Sequence, residues 1–183
     1  MFARTPRLLL RPGFPEDAPA LAVAIADEAI VRNLAVVPWP YGLRDAEAFL
    51  ASPRDPVLPS LLIFERTAGA PQLVGYCSLR RRPSGAVELV YWIARACWGR
   101  GFATEACSAL IEIARALRLP RLEAGHFTDN PASGRVLEKL GFKPLGIIAP
   151  RMSCGRGGEV PARLMRLRLT PAIEAAEEEA LAA

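Results

Sequence analysis

The chain has 183 residues, 51% of them apolar, and a formal charge of +4. That length suits one domain with a buried core. No apolar run approaches a membrane span, and Met1 to Pro12 lacks the apolar core and small-residue cleavage site of a secretory signal. The four cysteines (Cys77, Cys97, Cys107, Cys154) form no C-x-x-C pair and the sole histidine is His126, so no metal site is expected. They read as small buried groups of a protein in a reducing cytoplasm. Only Lys139 and Lys143 are lysines. The arginines are dispersed apart from Arg80-Arg81-Arg82, and no RNA-binding motif accompanies them. A solvated surface with a phosphate-binding groove is therefore expected rather than specific nucleic-acid binding.

In chain order, Arg7 to Arg11 reads as a strand stopped by Pro12, and Glu16 to Asn33 as an alanine-rich helix. Asp45 to Ala51 is a short helix bounded by prolines. Leu61 to Arg66 and Gln72 to Arg81 read as strands joined by Ala68-Gly69-Ala70-Pro71, and Pro83-Ser84-Gly85 makes the next hairpin turn. Val87 to Ala94 is an apolar central strand. Gly101 to Leu117 is a helix, with Ala103, Ala106, Cys107, Leu110, Ala114 and Leu117 on one face. Arg121 to Phe127 is a strand. Asn130 caps a helix that begins at Pro131 and ends at Gly141. Lys143 to Ile148 and Arg163 to Leu169 are the last strands. The expected domain is residues 1–170. Residues 171–183 form an acidic helical or frayed tail with Glu174, Glu177, Glu178 and Glu179.

The most telling stretch is Trp98-Gly99-Arg100-Gly101-Phe102-Ala103-Thr104-Glu105-Ala106, between the central strand and its following helix. Two glycines there allow left-handed backbone and close approach of a ligand. The unpaired amides of the first helical turn, with the helix dipole, favour an anion. The loop lacks the lysine of a P-loop. It also lacks the third glycine and the early position of a dinucleotide fingerprint.

Taken with the rest of the chain, this stretch resembles the acetyl-CoA motif of the GNAT acetyltransferase superfamily, Q/R-x-x-G-x-G/A, with Trp98 in place of Gln or Arg. The form W-G-[KR]-G-[YF]-A-T-E-A is similar to the bacterial RimJ/RimL branch, the ribosomal-protein N-terminal acetyltransferases. Thr5-Pro6-Arg7-Leu8-Leu9-Leu10-Arg11-Pro12 resembles that branch's opening strand. Pro40-Tyr41 with Asp45-Ala46-Glu47-Ala48-Phe49-Leu50 resembles its second helix, and Glu88-Leu89-Val90-Tyr91-Trp92-Ile93 its central strand. Asn130-x-x-Ser133-x-x-Val136-Leu137-Glu138-Lys139-Leu140-Gly141-Phe142 completes the pattern. The resemblance spans about Thr5 to Leu169.

It implies an α/β (α+β) fold: a mixed, mostly antiparallel sheet of about seven strands with helices on both faces. The implied cosubstrate is acetyl-CoA, with no metal. Trp98, Gly99, Arg100, Gly101, Phe102, Ala103 and Thr104 would hold its pyrophosphate, while Ile93, Ala94 and Asn130 would contact the pantetheine arm. Glu88 is the expected base, with Glu159 and Asp129 as weaker alternatives. The family's usual tyrosine acid falls at Leu137, so Ser133 is the expected acid. Trp39 and Tyr41, with Glu88, would line the acceptor pocket. His126 reads as a strand-end residue. Cys97 invites an acyl-cysteine route, but the family attacks directly.

The implied reaction acetylates a primary amine, with a protein N-terminus favoured. A small-molecule amine (antibiotic, polyamine or amino acid), a noncatalytic acyl-CoA-binding module and a ribosome-associated protein are the alternatives. A homodimer stays open.

Overall fold

The computed structural model describes residues 1–169. The expected acidic tail lies outside the described residues. Strands β1 (Ala3–Arg4), β2 (Leu8–Arg11), β3 (Ser60–Glu65), β4 (Gln72–Arg81), β5 (Val87–Ile93), β6 (Arg121–Phe127), β7 (Lys143–Ser153) and β8 (Gly158–Arg168) form one sheet. Its order is β1-β2-β3-β4-β5-β6-β8-β7. Every neighbouring pair is antiparallel except β5–β6. The mixed, mostly antiparallel sheet matches the expected fold, with eight strands against about seven.

Alternation along the strands gives the sheet two buried faces. On one, Leu8, Leu10, Leu61, Ile63, Leu89 and Ile93 meet Phe102, Ala106, Leu110 and Ala114 of helix α4 (Phe102–Ala116) and Leu137 of α5 (Pro131–Lys139). On the other, Leu62, Phe64 and Trp92 meet Leu21 and Ile25 of α1 (Ala18–Ile25), Ile30 and Val31 of α2 (Glu28–Val31), and Ala46 and Leu50 of α3 (Leu43–Ala51).

Beyond the additional short strand β1, one helix and the last two strands differ from expectation. The Glu16 to Asn33 helix is broken, because Asp27 adopts an extended backbone and its carboxylate accepts the Ala29 amide at 2.8 Å, starting a new helix. The last two strands are longer than read, forming a β7–β8 ribbon that runs Lys143–Ser153 and Gly158–Arg168. Pro144 and Pro150 are tolerated because β7 is an edge strand.

The N-terminal segment straps α4 in place. Glu105, in the first turn of α4, accepts hydrogen bonds from Thr5 Oγ1 (2.6 Å), the Arg7 amide (2.9 Å) and Arg7 Nε (2.7 Å). Burial raises the Glu105 carboxyl pKa, but the bonds from Thr5 and Arg7 outweigh it and hold the group below its ordinary range. Arg7 also donates to the Arg100 carbonyl at 2.9 Å, so the glycine loop and helix start are fixed together. A depressed carboxyl contributes stability above its unfolded pKa, and loses it as pH falls through the folded value. Glu105→Gln should therefore cost about 1–2 kcal/mol at pH 7. Its difference from wild type should close in acid, read as denaturation midpoints across pH 2–7. An unchanged gap at low pH would contradict this.

Candidate active site

The site begins where the sheet opens. β5 and β6 share one parallel bridge, Glu88 with Glu123, and then separate. Toward the end of β5 the separation makes a cleft of about 890 Å³, lined from both faces of the sheet. The two antiparallel neighbours of these strands stay paired along their lengths.

At one end of the cleft lie Trp98, Gly99, Gly101, Phe102, Ala103 and Thr104. Gly99 and Gly101 are left-handed, at φ 76° and 81°, as the sequence requires of this turn. The first helical hydrogen bond of α4 runs from the Glu105 amide to the Gly101 carbonyl, 3.1 Å. Among the described residues, no backbone or side-chain group accepts from the amides of 99–104. Six consecutive free donors at a helix N-terminus form a nest suited to an anion.

Two expected residues, Ala94 and Trp39, are placed outside the cleft wall, and Arg100 keeps only its amide in the loop. Arg100 is absent from the cleft wall, because its guanidinium is paired bidentately with Glu65 of β3, one contact at 2.9 Å, and stacks over Phe102. Its side chain anchors the loop from outside. Ala94 is also absent: its amide donates to Val74 at 2.8 Å and its carbonyl accepts from Cys97 at 2.9 Å. The parity of the β4–β5 ladder explains this. Ala94 and Trp92 turn their backbone groups toward β4, whereas Ile93 and Tyr91 turn theirs toward the gap. The Ile93 carbonyl accepts from the Trp98 indole at 2.7 Å, leaving its amide as the gap-facing donor. Trp39, half exposed, is not in the wall either, whereas Tyr41 is. Burial, with Asp45 nearby, pushes the Tyr41 phenol up to about 12, so it stays protonated.

In the middle of the cleft, Asn130 Oδ1 caps α5 by accepting the Ser133 amide at 3.2 Å. Ser133 Oγ lies 2.8 Å from the hydroxyl of Tyr91, a β5 side chain whose phenol burial holds well above its ordinary range. Tyr91 is the residue that sequence reasoning missed. Strand alternation groups it with Leu89 and Ile93 and gives no sign of Ser133. His126 faces α5, where its Nε2 lies 2.9 Å from the position a Cβ would take on Gly134, and its Nδ1 meets the Phe127 carbonyl at 2.9 Å. Cys97 lines the loop end of the cleft.

At the other end, Glu88 does lie in the wall, with Tyr41, Phe49 and Tyr76. Its setting differs from that of a base. The carboxylate is 2% exposed, with Arg151 on Oε1 and Arg80 on Oε2 at 3.1 and 3.2 Å. Arg82 lies 3.6 Å from Oε1. No face of the carboxylate is presented to an incoming amine. Of the weaker alternatives, Asp129 is paired with Arg156 at 2.7 Å and Glu159 is exposed on the β8 ribbon, and neither lines the cleft. Arg151, from a stretch that read as loop, is the second residue missed. Among the described residues, no group of three or more His, Cys, Asp or Glu side chains is placed to hold a metal.

An open, mostly antiparallel sheet, parted at its one parallel pair beside an anion-binding helix start, defines a coenzyme-dependent acyl-transfer fold. Comparison with known proteins agrees. Residues 7–143 match the acetyltransferase (GNAT) domain family. The chain is 28% identical over 161 residues to YoaA of Bacillus subtilis, an uncharacterized N-acetyltransferase, covering 81% of this chain and 86% of that one. In structure it is similar to a GNAT-family acetyltransferase from Bacillus anthracis, with TM-score 0.78 and 20% identity over 92% of this chain and 99% of that one. It is similar also to RimL, the ribosomal L7/L12 alpha-N-protein acetyltransferase in complex with coenzyme A, with TM-score 0.73 and 18% identity over 92% and 98% of the two chains. The chain belongs to the GNAT acetyltransferase family. It is an N-acetyltransferase, and acetyl-CoA is its cosubstrate.

The nest yields a direct test. A carboxylate at position 101 would repel a diphosphate, and an L side chain is strained at φ 81°. Gly101→Asp should weaken CoA binding by more than about tenfold, measured calorimetrically, with the fold retained by circular dichroism. Unchanged affinity would contradict the role of the nest.

Proposed function

We propose that this N-acetyltransferase acts on the α-amine of a protein N-terminus, in the cytoplasm, as the RimJ/RimL type does. The observation that carries the acceptor is the state of the cleft's carboxylates. Asp45 accepts the Gly42 amide at 2.8 Å, and Asp55 accepts the amides of Val57 and Leu58 at 2.8 and 2.9 Å. Glu88 is enclosed by arginines. Each carboxylate in the described wall thus already accepts hydrogen bonds, Glu88 through both oxygens and Asp45 and Asp55 through one each.

A lysine amine, with a reference pKa near 10.4, is under about 0.1% neutral at pH 7, whereas an α-amine near 7.7–8.0 is about a tenth neutral. A site without a dedicated base suits the α-amine, whose proton can leave through water. The RimL neighbour, described as an alpha-N-protein acetyltransferase, supports the same direction. The free state of all four cysteines suits a reducing compartment.

In this reading the amides of 99–104 grip the pyrophosphate, and Asn130 with the edge of β5 aligns the pantetheine arm. The Ile93 amide donates to the thioester oxygen as the amine attacks its carbonyl carbon. As the C–S bond breaks, Ser133 donates a proton to the sulfur. Tyr91, kept protonated by burial, donates to Ser133 and stabilises the oxygen that remains. Ser133→Ala should lower kcat about 10–100-fold with CoA affinity little changed, and Tyr91→Phe should lower it by less. Unaltered kcat in Ser133→Ala would remove the serine from the reaction.

The acceptor is tested by thiol release from acetyl-CoA over a panel of peptides and small amines. Peptides with a free N-terminus should react, with a rate that rises through the α-amine pKa. Peptides with a blocked N-terminus and an internal lysine should not. Equal turnover on lysine, or turnover confined to small amines, would overturn the assignment.

A further inference from the structure

Three guanidiniums converge on the one carboxylate of Glu88, which leaves an excess of positive charge at the acceptor end of the cleft. A guanidinium offers five N–H donors in a planar fork. Arg151 gives one nitrogen to Glu88. Among the described residues its Nε and Nη1 have no acceptor, although the side chain is only 16% exposed and lines the cleft. Arg80 spends Nε and Nη2 on Glu88 and has Nη1 over, and it too lines the wall.

Gly125 of β6 makes room for this arrangement. A Cβ there would lie 2.6 Å from Arg151 Nη1, so a side chain would push the guanidinium off the strand. The adjacent carboxylate, Glu123, is matched by Arg166 at 3.0 Å and does not neutralise the excess. The other acidic residues of the wall, Asp45 and Asp55, accept backbone amides.

We propose that Arg151 and Arg80 recognise a carboxylate on the acceptor, close to the amine that is acetylated. Glu88 is then a positioning residue: it holds the two guanidiniums apart and aims their remaining donors into the cleft. The inference rests on the acceptor entering at this end of the cleft. It narrows the substrate class to amines that carry a carboxylate, either an acidic residue just after a protein N-terminus or the α-carboxylate of a free amino acid.

The test titrates the CoA-loaded chain with matched probes. One pair is the C-terminally amidated peptides Ser-Asp-Glu-Ala and Ser-Asn-Gln-Ala, and the other is serine and serinamide. In at least one pair the member that carries the carboxylate should bind about tenfold or more tightly than the one that lacks it, with the gap narrowing as salt rises. A gap in the peptide pair identifies an acidic N-terminus, and a gap only in the serine pair identifies a free amino acid. In Arg151→Gln the gap should close while CoA affinity holds. Because that variant leaves Glu88 short of a partner, Glu88→Gln is the second variant: it releases donors and should widen the gap. Equal binding within both pairs, or no binding by any probe, overturns the proposal. Binding is read apart from turnover, so a chain that prefers the carboxylate-bearing probes yet acetylates none would fail the α-amine reading and leave this one standing.

Discussion

The central constraint is the parting of β5 from β6 after a single bridge. A parallel pair that stayed closed would satisfy its own backbone and leave no cleft. Here the gap turns the backbone groups of Tyr91 and Ile93 outward at the middle of the sheet, while β4 and β8 hold the two strands firmly on their other edges. The parting is stable because the core beneath α4 and α5 spans it, joining Leu89 and Ile93 of β5 to Leu122 and Ala124 of β6. A ligand arm laid into the gap would complete a strand edge, which orients it more sharply than contacts on a flat surface.

Around that opening, polar groups are sorted by whether the protein already uses them. Arg7, Arg100 and Glu105 all sit beside the glycine loop, yet each is spent on structure: Arg7 on Glu105 and the Arg100 carbonyl, Arg100 on Glu65. What the loop leaves for a ligand is its main-chain amides, with the Thr104 side chain beside them. The same sorting at the far end commits the carboxylates and leaves guanidinium donors over. The cleft therefore offers donors at both ends, with the hydroxyl pair of Ser133 and Tyr91 between them.

The sequence disclosed the parts whose physics is local. The α4 periodicity, the glycines at 99 and 101, the Asn130 cap and the proline-bounded α3 each follow from neighbouring residues, and the structure has them. What it hid depends on distant chain. Ala94 looked equivalent to Ile93 because strand parity relative to β4 cannot be read from β5 alone. Arg151 lay past the strand read at Lys143 to Ile148 and just after Pro150, although the edge strand continues through that proline to Ser153. Tyr91 and Ser133 meet across a separation of 42 positions, which no spacing rule encodes. Trp39 and Tyr41 are two apart, yet only the tyrosine reaches the cleft.

The proposed acyl transfer depends on the amides of residues 99–104 gripping the diphosphate. Hydrogen–deuterium exchange, resolved to single amides and followed with and without coenzyme A, reads those donors directly. Protection that appears at Gly99 to Thr104 and at Ile93, with Ala94 unchanged, is the predicted result. Coenzyme A that binds without slowing exchange in that loop would contradict it.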